Sequence, residues 1–231
     1  MRDLILGFLL LVSLSSCERR NSKVIYPENP EWSTENGRVV DSSNPYLPIE
    51  VKAEATFLRF PYRPGAMYDQ YRAVLLTAHA PVLFNYYLGH SIYRCVWLPG
   101  ASERQLPAIF SLHKDDDHVW LTTRILDRSP CYMPRSLIKQ ALADSTNLSV
   151  SRTKDISFNG WIEFENLVNG IKFWDLQADS TQQYLDGPST WYMEGHQEAR
   201  YWIAVRNSSK SNIGICGQFL ASLSGIDYPM P

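Results

Sequence analysis

The chain has 231 residues, 45% of them hydrophobic, 20% charged and 13% aromatic, with 22 basic against 24 acidic side chains and a net charge of −2. This balance is that of an ordinary globular protein and argues against wholesale disorder, a collagen-like repeat or a multi-span membrane protein. A charge so near zero offers no long-range field to steer nucleic acid, so no nucleic-acid partner is expected.

The start of the chain is its most informative stretch. Met1-Arg2-Asp3 is short and polar, Leu4 to Leu14 is almost unbroken apolar, and Glu18-Arg19-Arg20-Asn21 turns polar at once. An apolar helix of that length reaches only about 16 Å, against a hydrocarbon core of roughly 30 Å. The pattern reads as an export signal over residues 1–16, cleaved rather than retained as a span. Leu14-Ser15-Ser16-Cys17 resembles the bacterial lipobox: a hydrophobic residue, two small ones and a Cys, in the right order and at the right distance from the start. The resemblance implies that the Cys17 thiol receives a diacylglyceryl group, that cleavage falls just before it, and that the new amine is acylated, as by palmitate. Two or three acyl chains, at about 0.8 kcal/mol per buried CH₂, exceed what stable anchoring needs. The expected location is the cell envelope, on a lipoprotein facing the periplasm or the exterior. Glu18 rather than Asp after the Cys implies the outer membrane if the host is Gram-negative.

Residues 17–48 read as the lipidated Cys and a flexible tether. Pro27, Pro30, Pro45 and Pro48 punctuate a segment rich in Glu, Asn and Ser, without apolar periodicity. Residues 49–231 read as a single globular domain. Val51, Ala53, Ala55 and Phe57 alternate with polar residues, which predicts a strand. Met67, Tyr71, Val74, Leu75 and Ala78 have helical spacing, with Pro81 as the stop. Ser91 to Leu98 predicts a strand. Ala108 to His113 and His118 to Leu126 predict a hairpin around the acidic turn Lys114-Asp115-Asp116-Asp117. Pro134 to Ser145 reads as a short helix with Pro near its start, and Leu148 to Thr153 as a strand.

Two later helices are written more plainly. Trp161, Phe164, Leu167, Val168 and Ile171 form one stripe, with Ser157 as N-cap and Asn169-Gly170 as the stop. Ile213, Cys216, Phe219, Leu220 and Leu223 form another, opened by Ser211 or Asn212 and ended by Ser224-Gly225. Between them, Thr190 to Glu194 and Arg200 to Arg206 predict a hairpin with large apolar side chains on both faces. The two later helices can cover only one of those faces, so the segment from about 57 to 90 is expected to cover the other. The fold class is α+β, an antiparallel sheet with helices packed mainly on one face.

The second half resembles an uncharacterised family of small bacterial exported proteins. The shared features are Tyr93-Arg94 to Trp97-Leu98, Phe173-Trp174-Asp175-Leu176, Asp186-Gly187 to Trp191, Glu194-Gly195, and Cys216 to Leu223-Ser224-Gly225, over about residues 93–225. The resemblance carries no known activity and leaves function open.

Candidate chemistry is sparse. His113-Lys114-Asp115-Asp116-Asp117-His118 concentrates two imidazoles and three carboxylates, making His113, Asp115, Asp117 and His118 weak candidates for metal ligands. The spacing matches no calcium loop, and a solvated hairpin tip explains the same letters, so no metal is assigned. His79 and His90 read as core or turn histidines. No nucleophile elbow, phosphate loop, His-Glu-x-x-His or Cys-x-x-Cys occurs, and Glu163 and Glu165 do not face one another on a helix. No catalytic residue and no cofactor is assigned. With Cys17 taken by lipid, at most one disulfide can form among Cys95, Cys131 and Cys216, and the spacing does not choose the pair. The preferred reading is a lipid-anchored envelope protein that binds a protein partner or serves assembly. The alternative is an envelope hydrolase or a carbohydrate-binding protein using some of the seven Trp residues as stacking platforms.

Overall fold

The computed structural model describes residues 66–84, 90–100, 105–128, 148–178, 189–197 and 200–228. The export signal, Cys17, the tether, the strand expected at 51–57, the helix expected at 134–145 and Cys131 lie outside these residues.

In chain order the elements are α1 (Ala66–Thr77), β1 (Ser91–Leu98), β2 (Ala108–Lys114), β3 (Val119–Leu126), β4 (Leu148–Asp155), α2 (Phe158–Gly170), β5 (Thr190–Gln197), β6 (Arg200–Arg206) and α3 (Asn212–Ser224). A 3₁₀ turn at Phe173–Asp175 follows α2. The strands form one antiparallel sheet in the order β4-β3-β2-β1-β5-β6. The expected α+β class is therefore what the chain adopts.

The caps follow from local chemistry. Ser157 accepts a hydrogen bond from the Gly160 N–H to open α2, and Ser211 accepts from the Gly214 N–H to open α3. Gly225 closes α3 in the left-handed region at φ 66°, where a side chain would be strained. At the end of α2 the expected Asn169-Gly170 stop falls slightly early. The left-handed residue is Lys172, at φ 53°, and Gly170 is still helical.

Period-2 alternation divides the sheet into two cores. On one face Tyr93, Cys95, Trp97, Phe110, Leu112, Trp191, Met193 and Ala204 pack against Trp161, Phe164 and Val168 of α2 and Ile213, Cys216 and Leu220 of α3. On the other face Ile92, Val96, Leu98, Ile109, Tyr192, Ile203 and Val205 pack against Tyr71, Val74, Leu75, Leu76 and the turn after α1. The segment expected to cover the second face thus supplies that cover over residues 71–84. Seven of the eight β5 residues are buried, so the hairpin hides both faces as its composition demands. The edge strand β6 departs from this: Trp202 is half-buried, its indole N–H donating to the Leu176 carbonyl at 2.9 Å. β5 also runs past its expected end at Glu194, as far as Gln197.

Candidate binding site

The centre of the α1 face holds two charges. Arg94 of β1 and Glu194 of β5 pair across the ladder with both side chains fully buried. Burying either alone would carry a large desolvation penalty, so each needs full compensation. Arg94 Nε donates to Glu194 Oε2 at 2.6 Å, and the Tyr71 hydroxyl donates to the same oxygen. The Tyr201 hydroxyl donates to Oε1 at 2.7 Å. Burial, and then the Glu194 carboxylate, push both tyrosine hydroxyls well above their ordinary range. Burial opposes the Arg94 charge, but the Glu194 carboxylate more than offsets it and the guanidinium is held more firmly protonated than usual. Arg94 Nη1 also donates to the Pro81 carbonyl at 2.6 Å. The cluster therefore ties α1, through Tyr71, and the turn after it, through Pro81, onto the sheet.

That turn roofs an opening. α1 ends with the Ala80 N–H bonded to the Leu75 carbonyl at 2.9 Å and the His79 N–H to the Leu76 carbonyl at 3.0 Å. These are the two bonds of a Schellman cap, whose left-handed position is usually Gly. Here it is His79, at φ 49°. A side chain in that region costs on the order of 1 kcal/mol. Below the turn lies a cavity of about 250 Å³, lined by His79, Ser111, His113, Thr122 and Arg124 together with apolar residues. Its floor follows from register. Ser111 of β2 stands directly opposite Thr122 of β3, and the next same-face positions are His113 and Arg124.

All five histidines of the chain gather on this side of the sheet. His90 Nε2 lies 3.3 Å from His113 Nδ1. The His113 ring stacks on Trp120 at 4.9 Å between centroids, and His118 stacks on the same indole at 5.0 Å. His196 is buried opposite Ile92, and burial lowers its pKa. Burial, then the neighbouring His90, Arg124 and Arg94 charges, lower the pKa of His113 to about 3, so its ring is neutral at pH 7.

The acidic hairpin resolves differently from a metal loop. Asp115 Oδ1 accepts from the Asp117 N–H at 3.0 Å and the His118 N–H at 2.6 Å, closing the turn itself. Asp117 is exposed, and His118 Nε2 pairs with Asp155 Oδ1 at 2.9 Å. His113 and His118 thus share the Trp120 ring, while the Asp115 carboxylate is engaged by backbone N–H groups of the turn. Among the described residues no group of three His, Cys, Asp or Glu side chains is placed to hold a metal ion. Cys95 and Cys216 are buried free thiols in the core of the opposite face, and burial pushes Cys216 up to about 12. Trp97, Trp161 and Trp191 are buried in that core and present no stacking surface. Among the described residues no helix is long and apolar enough to cross a membrane.

Sequence reasoning missed both the ion pair and the histidine cluster. The first had a signal: Ser91–Leu98 and Thr190–Gln197 are rich in apolar residues on both faces, and the one Arg and one Glu are their only Lys, Arg, Asp or Glu residues. Two strands buried on both sides, each with a single charge, require those charges to meet. The second had none, because it depends on how strands pair beyond their hairpins. No protein-family model, curated protein or solved structure matches the chain.

Proposed function

We propose that this chain is a lipid-anchored protein of the bacterial cell envelope, held in the membrane through Cys17, whose domain binds a protein partner or serves an assembly role. The lipobox resemblance supports the anchor. The binding part rests on one observation, the uneven cover of the α1 face. Over β1, β5 and β6 that face is closed by α1, whereas toward β4 it presents Ser151, Thr153 and Asp155 as exposed side chains beside the His113–Trp120–His118 stack and the cavity. Recognition sites combine aromatic side chains with a small number of placed polar groups at a concave surface or a polar rim.

Two experiments test the two halves. Cys17→Ala should leave the protein in the aqueous phase of a detergent partition and block processing before residue 17; unchanged membrane association would remove the anchor. A photo-reactive residue at Thr153, on the open face, should cross-link a partner in intact cells, and one at Glu163, on the outer side of α2, should not. Cross-links from Glu163 alone would move the interface to α2, where Phe158 and Ile162 are exposed, and overturn the assignment. No cross-link from either position would remove the partner reading.

A further inference from the structure

We propose that the free side of β4 is a docking edge, where an extended acidic segment of a partner protein joins the sheet as a further strand. The inference deepens the binding-module reading and rests on it.

The ladder shows which groups are on offer. β4 stands at one end of the strand order, and among the described residues no strand pairs with its outer side. Just past its end the Ile156 N–H donates to the Val119 carbonyl at 2.9 Å, and the register runs from Asp155 opposite Trp120 to Val150 opposite Ile125. Antiparallel residues bond the neighbouring strand at every second position. Ile156, Lys154, Arg152 and Val150 therefore direct their backbone groups to β3, and Ser151, Thr153 and Asp155 turn theirs outward. All three of these are exposed.

The two edges of the sheet are treated differently. At β6 the Val205 N–H donates to the Ala178 carbonyl at 2.8 Å, and the Trp202 and Arg206 side chains reach the carbonyls of Leu176 and Gln177. Edges left open are commonly guarded by bulges or by charged side chains. In β4 the irregularity is confined to its start, beside Ser149, and the stretch 150–155 is regular. The Lys154 ammonium is drawn back to the Leu223 carbonyl at the end of α3, at 2.6 Å, and so does not guard the edge.

Charge selects the occupant. Arg152 and Lys154 lie on the helix side of β4, and Arg152 is exposed. Two copies paired about a two-fold at Arg152, Thr153 or Lys154 would set these cations against one another, and like charges directly opposite are destabilising. A two-fold at Ser151 would run Thr153 onto Ser149, at the irregularity. A different chain with Asp or Glu opposite Arg152 meets neither obstacle. On the other face Asp155 is already paired with His118, so the acidic positions belong on the helix side of the incoming strand. Its main chain would bond Ser151, Thr153 and Asp155, and its alternate side chains would give selectivity.

Proline separates backbone pairing from side-chain recognition. At Thr153 it removes only an outward N–H, which an edge strand tolerates, whereas at Arg152 it removes a ladder bond to β3. The full-length protein carries a photo-reactive residue at Ser151 in intact cells. Cross-linking to a partner is expected in the parent and in Thr153→Ala, and about tenfold or more weaker in Thr153→Pro. The two Thr153 variants should melt alike and Arg152→Pro lower. If Thr153→Pro melts early, Ser151→Pro is compared with Ser151→Ala, with the photo-reactive residue at Thr153. Early melting of both proline variants would show those N–H groups in use within the fold, and overturns the open edge. Arg152→Glu should lower the yield about threefold or more, and Arg152→Lys should not. Equal yields from the proline and alanine variants overturn strand addition and leave the partner reading standing. Equal yields in Arg152→Glu and Arg152→Lys overturn the acidic occupant, and a product made of two copies of this chain overturns a different partner. No cross-link from Ser151 or Thr153 in the parent removes the partner reading itself, and this inference with it.

Discussion

Arg94 and Glu194 are a hundred residues apart in sequence and directly opposite one another in the β1–β5 ladder, and their paired charges hold α1 and its turn against the sheet. Such a pair contributes little net stability when intact, but removing one partner strands the other in a dry interior. Arg94→Met is therefore expected to destabilise the domain by about 3–5 kcal/mol, measured by urea denaturation. The double change Arg94→Met with Glu194→Leu should cost clearly less than the sum of the two single changes, because no charge is left unpaired. Additive losses would mean that the two side chains act separately. Tyr201→Phe, which removes one donor to Glu194, should cost about 1.5–3 kcal/mol, as for a hydrogen bond to a charged group.

On the opposite face, Trp191 lies on Gly217 of α3. A Cβ built at Gly217 would stand 2.0 Å from the indole, so no side chain fits there without moving the helix or the ring. Gly217→Ala, which would favour a helix on propensity alone, is instead expected to lower stability by about 1–3 kcal/mol through overpacking. Trp191→Ala should cost about 3–5 kcal/mol, as for other buried aromatics. The half-buried Trp202 on the edge strand should cost less when truncated. Equal losses at the two tryptophans would show that the edge is more firmly closed than the structure has it.

These relationships show where sequence reasoning succeeds and where it stops. The strand Ser91–Leu98, the strand from Ala108 to within one residue of its end at Lys114, the cap Ser157, the opening of α3 to within the choice of Ser211 or Asn212, and its stop at Ser224-Gly225 were legible because each is set by residues within a few positions of one another. The face assignment of Trp191 and Met193 against Tyr192 and Glu194 follows from the two-residue period of a strand. The pairing of β1 with β5 was not legible, since the chain passes through three strands and α2 before returning to the centre of the sheet. Everything that depends on it escaped as well. His79 read as a turn histidine, which it is, but its left-handed cap over Ser111 and Thr122 is a tertiary fact.

The hairpin tip separates its three aspartates by role. Asp115 closes the turn through two backbone N–H groups, while Asp116 and Asp117 are exposed. Changing Asp116 and Asp117 together to Ser should move stability by no more than about 0.5 kcal/mol. Asp115→Ala should cost on the order of 1 kcal/mol, and Asp115→Ser less, since a hydroxyl can accept the same bonds more weakly. A melting temperature that falls on adding a chelator would instead restore a metal role for this loop.

His113 gives the fold a pH dependence of defined sign. It is faced by the cationic or protonatable groups His90, Arg124 and Arg94 and by the Trp120 ring, and its pKa falls to about 3. In the unfolded chain the same imidazole takes up its proton near pH 6.5. Below that value the unfolded state binds more protons than the native state. Stability must therefore fall as the pH drops from about 6.5 toward 3, by up to about 1.4 kcal/mol per pH unit from this one group. His196, lowered by its own burial, adds a slope of the same sign. Between pH values of about 5 and 6.5 most carboxylates are already ionised, so urea midpoints taken there report chiefly on histidines. His113→Phe keeps a ring on Trp120 and removes the titration, and should flatten the slope by about one proton. A slope unchanged in His113→Phe would show that His113 titrates alike in both states, and that the repulsion from His90, Arg124 and Arg94 is relieved by solvent.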